Sequence, residues 1–214
     1  MLRNTLICVV AVLATLTCPA WSQTARLETS LGTIVVVLDA AKAPDTVRTF
    51  VARAKAGEYD GTIFHRAVAG FVVNGGEYKT GTERPELAIW PANAKARYGE
   101  ESNNGLRNQR GTIAAMRLSA RPGDHSPTGF FFNMKDNPML DHRRFDQATR
   151  LPSPQGEQTA PEGAHIPGYT VFGRVVSGMA VLERIEQSKT TDERTPARHW
   201  VVAPVVLKRV VIES

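Results

Sequence analysis

Between Phe64 and Gly76 the chain reads FHRAVAGFVVNGG, which sets one arginine, Arg66, among apolar and glycine residues. A guanidinium keeps its charge at any working pH and presents its N–H donors in a rigid planar fork. Holding such a group against an apolar wall is costly unless something accepts its hydrogen bonds. That acceptor is either a structural partner within the fold or a substrate, and this stretch alone leaves both open. Other chemistries find less support. The five histidines, 65, 125, 142, 165 and 199, show no i, i+3 or i+4 pairing and no cysteine partners, so no metal site is expected. Asp124-His125 with Ser119 or Ser126 forms no recognisable nucleophile arrangement, and Gly75-Gly76 lacks the Lys-Ser/Thr of a phosphate loop.

Further along come Asn104-Gly105-Leu106-Arg107-Asn108-Gln109-Arg110-Gly111-Thr112-Ile113-Ala114, Phe130-Phe131-Phe132-Asn133, Met139-Leu140-Asp141 and Gly168-Tyr169-Thr170-Val171-Phe172-Gly173. In this order and spacing the segments resemble the cyclophilin-type peptidyl-prolyl isomerases, in particular their exported bacterial branch. The resemblance runs from about Arg26 to Ile212.

The reaction that this resemblance implies needs no covalent step. Rotation about an X–Pro bond is opposed by a barrier of about 20 kcal/mol from amide resonance. In the twisted amide the prolyl nitrogen becomes pyramidal and gains a lone pair. A fixed donor aimed at that nitrogen in a water-poor cleft favours the twisted state over the planar ones. The resemblance assigns this catalytic role to Arg66. It places Phe71, Val72, Phe131, Met139, Leu140 and Tyr169 around the proline, with Met116 on the groove and Asn74 holding the substrate backbone. If Phe131 faces the cleft, strand alternation turns Phe130 and Phe132 the other way. No cofactor is implied.

Some positions depart from the family pattern. Asn74 replaces a glutamine and is one methylene shorter, and Asn74-Gly75 also reads as a hairpin turn signal. Gly129 replaces a second glutamine and has no side chain. Val72 and Met139 stand where methionine and an aromatic are common, and Met116 narrows the groove. His65 is expected on the opposite face of its strand from Arg66, as a hydrogen-bonded structural histidine.

These side chains need a scaffold. Arg26 to Asp39 reads as two strands around Leu31-Gly32. Pro44, Asp45, the spacing of Val47, Phe50, Val51 and Ala54, and Gly57 beyond them predict an amphipathic helix. Two strands are predicted in Thr62–Val73, separated near Ala69-Gly70, and residues 78–110 read as a long polar loop. Further strands follow at Thr112–Arg117, Gly129–Met134, Val171–Val176 and Val205–Ile212, with a second helix beginning near Ser177. Many strands with two helices argue for a closed antiparallel sheet, and the resemblance makes it an eight-stranded barrel capped by two α-helices. The segment 141–168, with prolines at 152, 154, 161 and 167, reads as an inserted structureless loop, either mobile or specialised for contact.

Residues 1–22 read as a signal peptide, with Arg3 before an apolar run too short for a membrane span and Ala20-Trp21-Ser22 before the cleavage point. Residues 23–214 then form one domain. Both cysteines, Cys8 and Cys18, lie in the leader, which excludes disulfides from the mature chain. The net charge of +5 is scattered and lacks a basic stripe with interleaved aromatics, so nucleic acid is not an expected partner. The expectation is a periplasmic or secreted monomer without a stable membrane anchor, isomerising proline-containing segments of exported polypeptides. The alternative is a proline-segment-binding module or holdase with reduced turnover, since two substrate-orienting amides are gone.

Overall fold

Two short strands open the described part of the chain, the second rich in β-branched residues. β1 (Thr24–Thr29) and β2 (Gly32–Leu38) pair antiparallel, and alternate residues, Ala25, Leu27, Ile34, Val36 and Leu38, are buried. That period of two commits one face of each strand to the core. The computed structural model describes residues 23–80, 99–118, 124–153, 156–191 and 198–213. The signal-peptide assignment therefore falls outside the described residues, as do residues 81–98 of the long polar loop.

Helix α1 (Pro44–Lys55) starts where the sequence predicts, with Pro44 in its first turn, and Gly57 takes a left-handed φ of 70° just past its end. Its N-cap residue, Ala43, offers no side-chain bond. Glu101 performs that task from a distant loop: its carboxylate accepts from the backbone N–H groups of Asp45 and Thr46, each at 2.9 Å, and from the Thr46 hydroxyl at 2.7 Å.

The remaining barrel strands are β3 (Thr62–Val68), β4 (Val72–Lys79), β5 (Thr112–Arg117), β6 (His125–Asn133), β11 (Val171–Ser177) and β12 (Trp200–Glu213). With β1 and β2 they close into an eight-stranded antiparallel barrel in the order β1-β12-β3-β4-β6-β5-β11-β2. Helix α2 (Met179–Glu186) follows β11. Both helices add apolar residues, Val47, Phe50 and Val51 from α1 and Val181, Leu182 and Ile185 from α2, to the core that fills the barrel. No helix among the described residues is long and apolar enough to cross a membrane.

Two expectations are corrected. Asn74-Gly75 is no turn: it lies inside β4, and the chain reverses at Ala69-Gly70, where Gly70 has a φ of 63°. Strands β3 and β6 flank β4 on both sides, and a full set of ladder bonds outweighs a local turn preference. The segment 141–168 is not structureless either. It forms a two-tiered arm in which β7 (Arg143–Arg144) pairs β10 (His165–Ile166) and β8 (Thr149–Ser153) pairs β9 (Gly156–Ala160). Each sheet has only two strands, so every strand is an edge, where proline is tolerated.

Candidate active site

A one-residue irregularity in β3 prepares Arg66. Phe64 pairs with Gly75 and Arg66 with Asn74, so His65 is extra. Phe64 and Ala67 enter the barrel core, while His65 and Arg66 lie side by side outside it. The bulge thus corrects the simple alternation that sent His65 to the opposite face. The row continues across the barrel wall: Arg66 pairs with Asn74, Asn74 with Phe131, Phe131 with Ala114, and Ala114 with Val171. Arg66 Nη1 donates to Asn74 Oδ1 at 3.2 Å, and Asn74 Nδ2 approaches Met116 Sδ at 3.3 Å. One neutral amide takes up only part of a guanidinium fork. Burial draws the Arg66 pKa below its ordinary value, opposed by the nearby Tyr169.

Beside Arg66 lies an apolar cluster separate from the barrel core. Val72, Ala114, Phe131 and Val171 are its buried members, with Phe71, Leu106, Met116, Leu140 and Tyr169 packed around them, partly exposed. Phe130 and Phe132 belong to the inner core, so the alternation predicted for the three phenylalanines holds. The Tyr169 ring meets Phe131 edge-on at 5.2 Å. The cluster therefore gathers Phe71, Val72, Met116, Phe131, Leu140 and Tyr169. Met139 departs from expectation: it sits in a short 3-10 helix, Pro138–Leu140, is 57 % exposed, and lies outside the cluster.

The loops that carry this wall are tied by buried amides to which sequence reading gave no role. Asn108 Nδ2 donates to the carbonyl of Leu140 at 3.1 Å, and its backbone N–H donates to Asp141 Oδ1 at 2.7 Å. Asn133 donates to Asn108, and Asn137 donates to Asn133 and to the carbonyl of Phe71. The cue was available, because asparagines recur where β6 ends and in the loop before β5. Their purpose, with Asn108 and Asn137 donating to backbone carbonyls of other loops and Asn133 linking the two, is a three-dimensional fact. Arg117 donates to the carbonyls of Pro167 and Gly168, at 2.8 and 3.2 Å, and its guanidinium lies 5.9 Å from the centre of the Tyr169 ring.

Gly129 has a specific occupant beside it. A β-carbon there would lie 2.5 Å from Ser126 Oγ and 2.7 Å from Glu77 Oε1. Ser126 Oγ donates to Glu77 at 2.6 Å and accepts from the Gly129 N–H at 2.9 Å. Burial raises the Glu77 pKa above the usual carboxylate range, partly offset by Ser126. His65 Nε2 lies 3.6 Å from Glu77 Oε2, and burial, helped by Arg66, lowers the His65 pKa to about 3. Outside this region, His142 and His165 are hydrogen-bonded at 3.0 Å in the arm's stem, a pairing invisible in sequence because 22 residues separate them. Among the described residues, no group of three or more His, Cys, Asp or Glu is placed to hold a metal ion.

Comparison with known proteins gives a consistent picture. The family described as cyclophilin type peptidyl-prolyl cis-trans isomerase/CLD matches residues 24–210. Peptidyl-prolyl cis-trans isomerase A of Dickeya dadantii is 36% identical over 213 residues, covering 97% of this chain and 96% of that protein. Peptidyl-prolyl cis-trans isomerase B of Escherichia coli is 35% identical over 187 residues, or 87% and 94% of the two chains. The crystal structure of a Cryptosporidium parvum cyclophilin type peptidyl-prolyl cis-trans isomerase superposes with a TM-score of 0.66 at 22% identity, covering 91% of this chain and 99% of that one, a likeness of fold. With the barrel, the paired segments and these relatives in agreement, the chain belongs to the cyclophilin-type peptidyl-prolyl cis-trans isomerase family.

Proposed function

We propose that this isomerase acts on exposed X–Pro bonds of exported polypeptides, with Arg66 as the catalytic donor. The observation that carries the reading is the placement of Arg66 beside an apolar cluster that is separate from the core. A proline ring set against Phe131, Val72 and Leu140 brings its nitrogen within range of the guanidinium. As the amide twists, the nitrogen lone pair accepts an N–H from Arg66, and that hydrogen bond is stronger in the twisted state than in either planar one. Asn74 keeps the fork from swinging away. The test is an NMR exchange or protease-coupled assay on an X–Pro peptide, comparing the purified protein with Arg66→Ala. Activity in folded Arg66→Ala comparable to that of the unaltered protein removes this assignment.

Export rests on the leader at residues 1–22. Recovery of the protein from the periplasm with Gln23 at its N-terminus is the expected result, and a chain retaining Met1 or lipidated at Cys18 contradicts it. A second reading, a proline-segment binder with little turnover, draws on Gly129, where Glu77 and Ser126 occupy the room that a substrate-orienting amide would need. Tight peptide binding without exchange catalysis is the result that would favour it.

A further inference from the structure

We propose that Trp200 and Tyr78 form a second substrate subsite, a shelf for an aromatic or large apolar side chain two to four residues away from the proline. The inference rests on the proposed proline site. Trp200 on β12 is the register partner of Arg66 on the side away from Asn74, so Trp200, Arg66, Asn74 and Phe131 form one row across four adjacent strands. Three strand spacings amount to roughly 14 Å, the reach of about four extended residues. A peptide whose proline rests on Phe131 and whose chain crosses Arg66 therefore arrives over Trp200.

The shelf is built to stay in place. The Trp200 ring meets Tyr78 at 4.9 Å and His65 at 5.2 Å, and His65 meets Tyr78 at 4.6 Å. His65 is buried beneath, whereas Trp200 and Tyr78 are partly exposed. The Trp200 backbone N–H donates to Thr191 Oγ1 at 3.0 Å, and its carbonyl accepts from the Thr191 N–H at 2.8 Å. The residue before it, His199, is the one non-glycine with a positive φ among the described residues, at 57°. A side chain with a β-carbon enters that region only when its surroundings compel it. Here the His199 carbonyl accepts from the Ala67 N–H at 3.1 Å, which fixes the bend that delivers Trp200 alongside Arg66. The neighbouring cation also selects against lysine and arginine in the incoming residue.

The experiment measures kcat/KM for X–Pro peptides carrying Phe, Lys or Gly at two, three and four residues on either side of proline. The expected result is a preference for Phe over Gly of roughly three- to tenfold at one of these positions, with Lys below Phe. That preference should fall towards one in Trp200→Ala through a rise in KM, and should persist in Trp200→Phe. Equal values for all three peptides in the unaltered protein overturn the proposal, whatever the folding of the variants. So does a Phe preference that survives in folded Trp200→Ala. If no peptide is isomerised, the catalytic reading fails, and the shelf is judged separately by the affinity of the Phe and Gly peptides for the unaltered protein and for Trp200→Phe and Trp200→Ala.

Discussion

Asn74 holds Arg66 from directly across the strand pair, with Oδ1 and Nη1 3.2 Å apart and the two residues in register. The same amide reaches Met116 Sδ, a weak acceptor, so the arginine is its stronger partner. Removing one such side-chain bond costs about 0.5–1.5 kcal/mol. Asn74→Ala is therefore expected to lower kcat/KM by about two- to tenfold with the barrel intact, measured by NMR exchange and circular dichroism.

Arg66→Ala removes the donor altogether. A loss of at least about tenfold in kcat/KM, roughly 1.4 kcal/mol, is expected with little change in the melting temperature. Arg66→Lys should recover little of it, because an ammonium cannot reproduce a planar fork. Full recovery by lysine would reassign the residue to a simple charge.

Phe131 and Phe132 are sequence neighbours in different cores, and truncation should separate them. Phe131→Ala is expected to weaken proline-peptide binding, since an aromatic wall contributes on the order of 2 kcal/mol of burial. Phe132→Ala, in the barrel interior, should cost roughly 3–5 kcal/mol of stability and lower the melting temperature more. Affinity and thermal melts on both variants decide the matter.

Acid should loosen the fold through His65. The unfolded chain protonates this group near 6.5, whereas in the fold it stays neutral down to about 3. Its contribution is intact above pH 6.5 and declines as the pH falls through that window, by roughly 2 kcal/mol at pH 5. The groups around it are Arg66, Glu77, Tyr78 and Trp200. His65→Gln should show a smaller drop in melting temperature between pH 7 and pH 5 than the unaltered protein. An equal drop would place the acid sensitivity elsewhere.

Restoring a glutamine at position 129 is expected to fail on its own. The new β-carbon would crowd Ser126 Oγ and the Glu77 carboxylate, so Gly129→Gln should lower the melting temperature. Combining it with Ser126→Ala and Glu77→Ala removes both crowding groups and should recover part of the loss. Stability in the single variant equal to that of the unaltered protein would mean that Glu77 yields freely.

The sequence was most legible where residue type and period act locally. Most of the barrel strands, both helices and the alternation of Phe130, Phe131 and Phe132 follow from spacing, while the family resemblance supplied which of the three faces the cleft. It was least legible where a distant segment decides the outcome. Asn74-Gly75 looks like a turn until β6 is seen to pair with it. His65 breaks alternation because of an extra residue opposite Gly75. Gly129 has no positive φ, so its backbone would accept a side chain; the obstacle is the Ser126 hydroxyl and a carboxylate from β4, neither of which sequence places there. Glu101, capping a helix more than fifty residues away, carries no local mark at all.

The arm leaves and rejoins the barrel through a very narrow neck. Gly168 packs its bare α-carbon on the backbone of Leu140, Asp141 and His142, and the Tyr169 N–H donates to the Leu140 carbonyl at 2.8 Å. The closing bond is made by residues at the two feet, so the groove wall does not depend on how much chain lies between them. Lengthening a loop beyond such a junction adds only about 0.6 kcal/mol per doubling. The neck is thus a splice point: an arm of another length, or a small foreign module, could be grafted there. It would hang beside Tyr169, next to the cleft, and could gather clients without altering the cleft itself.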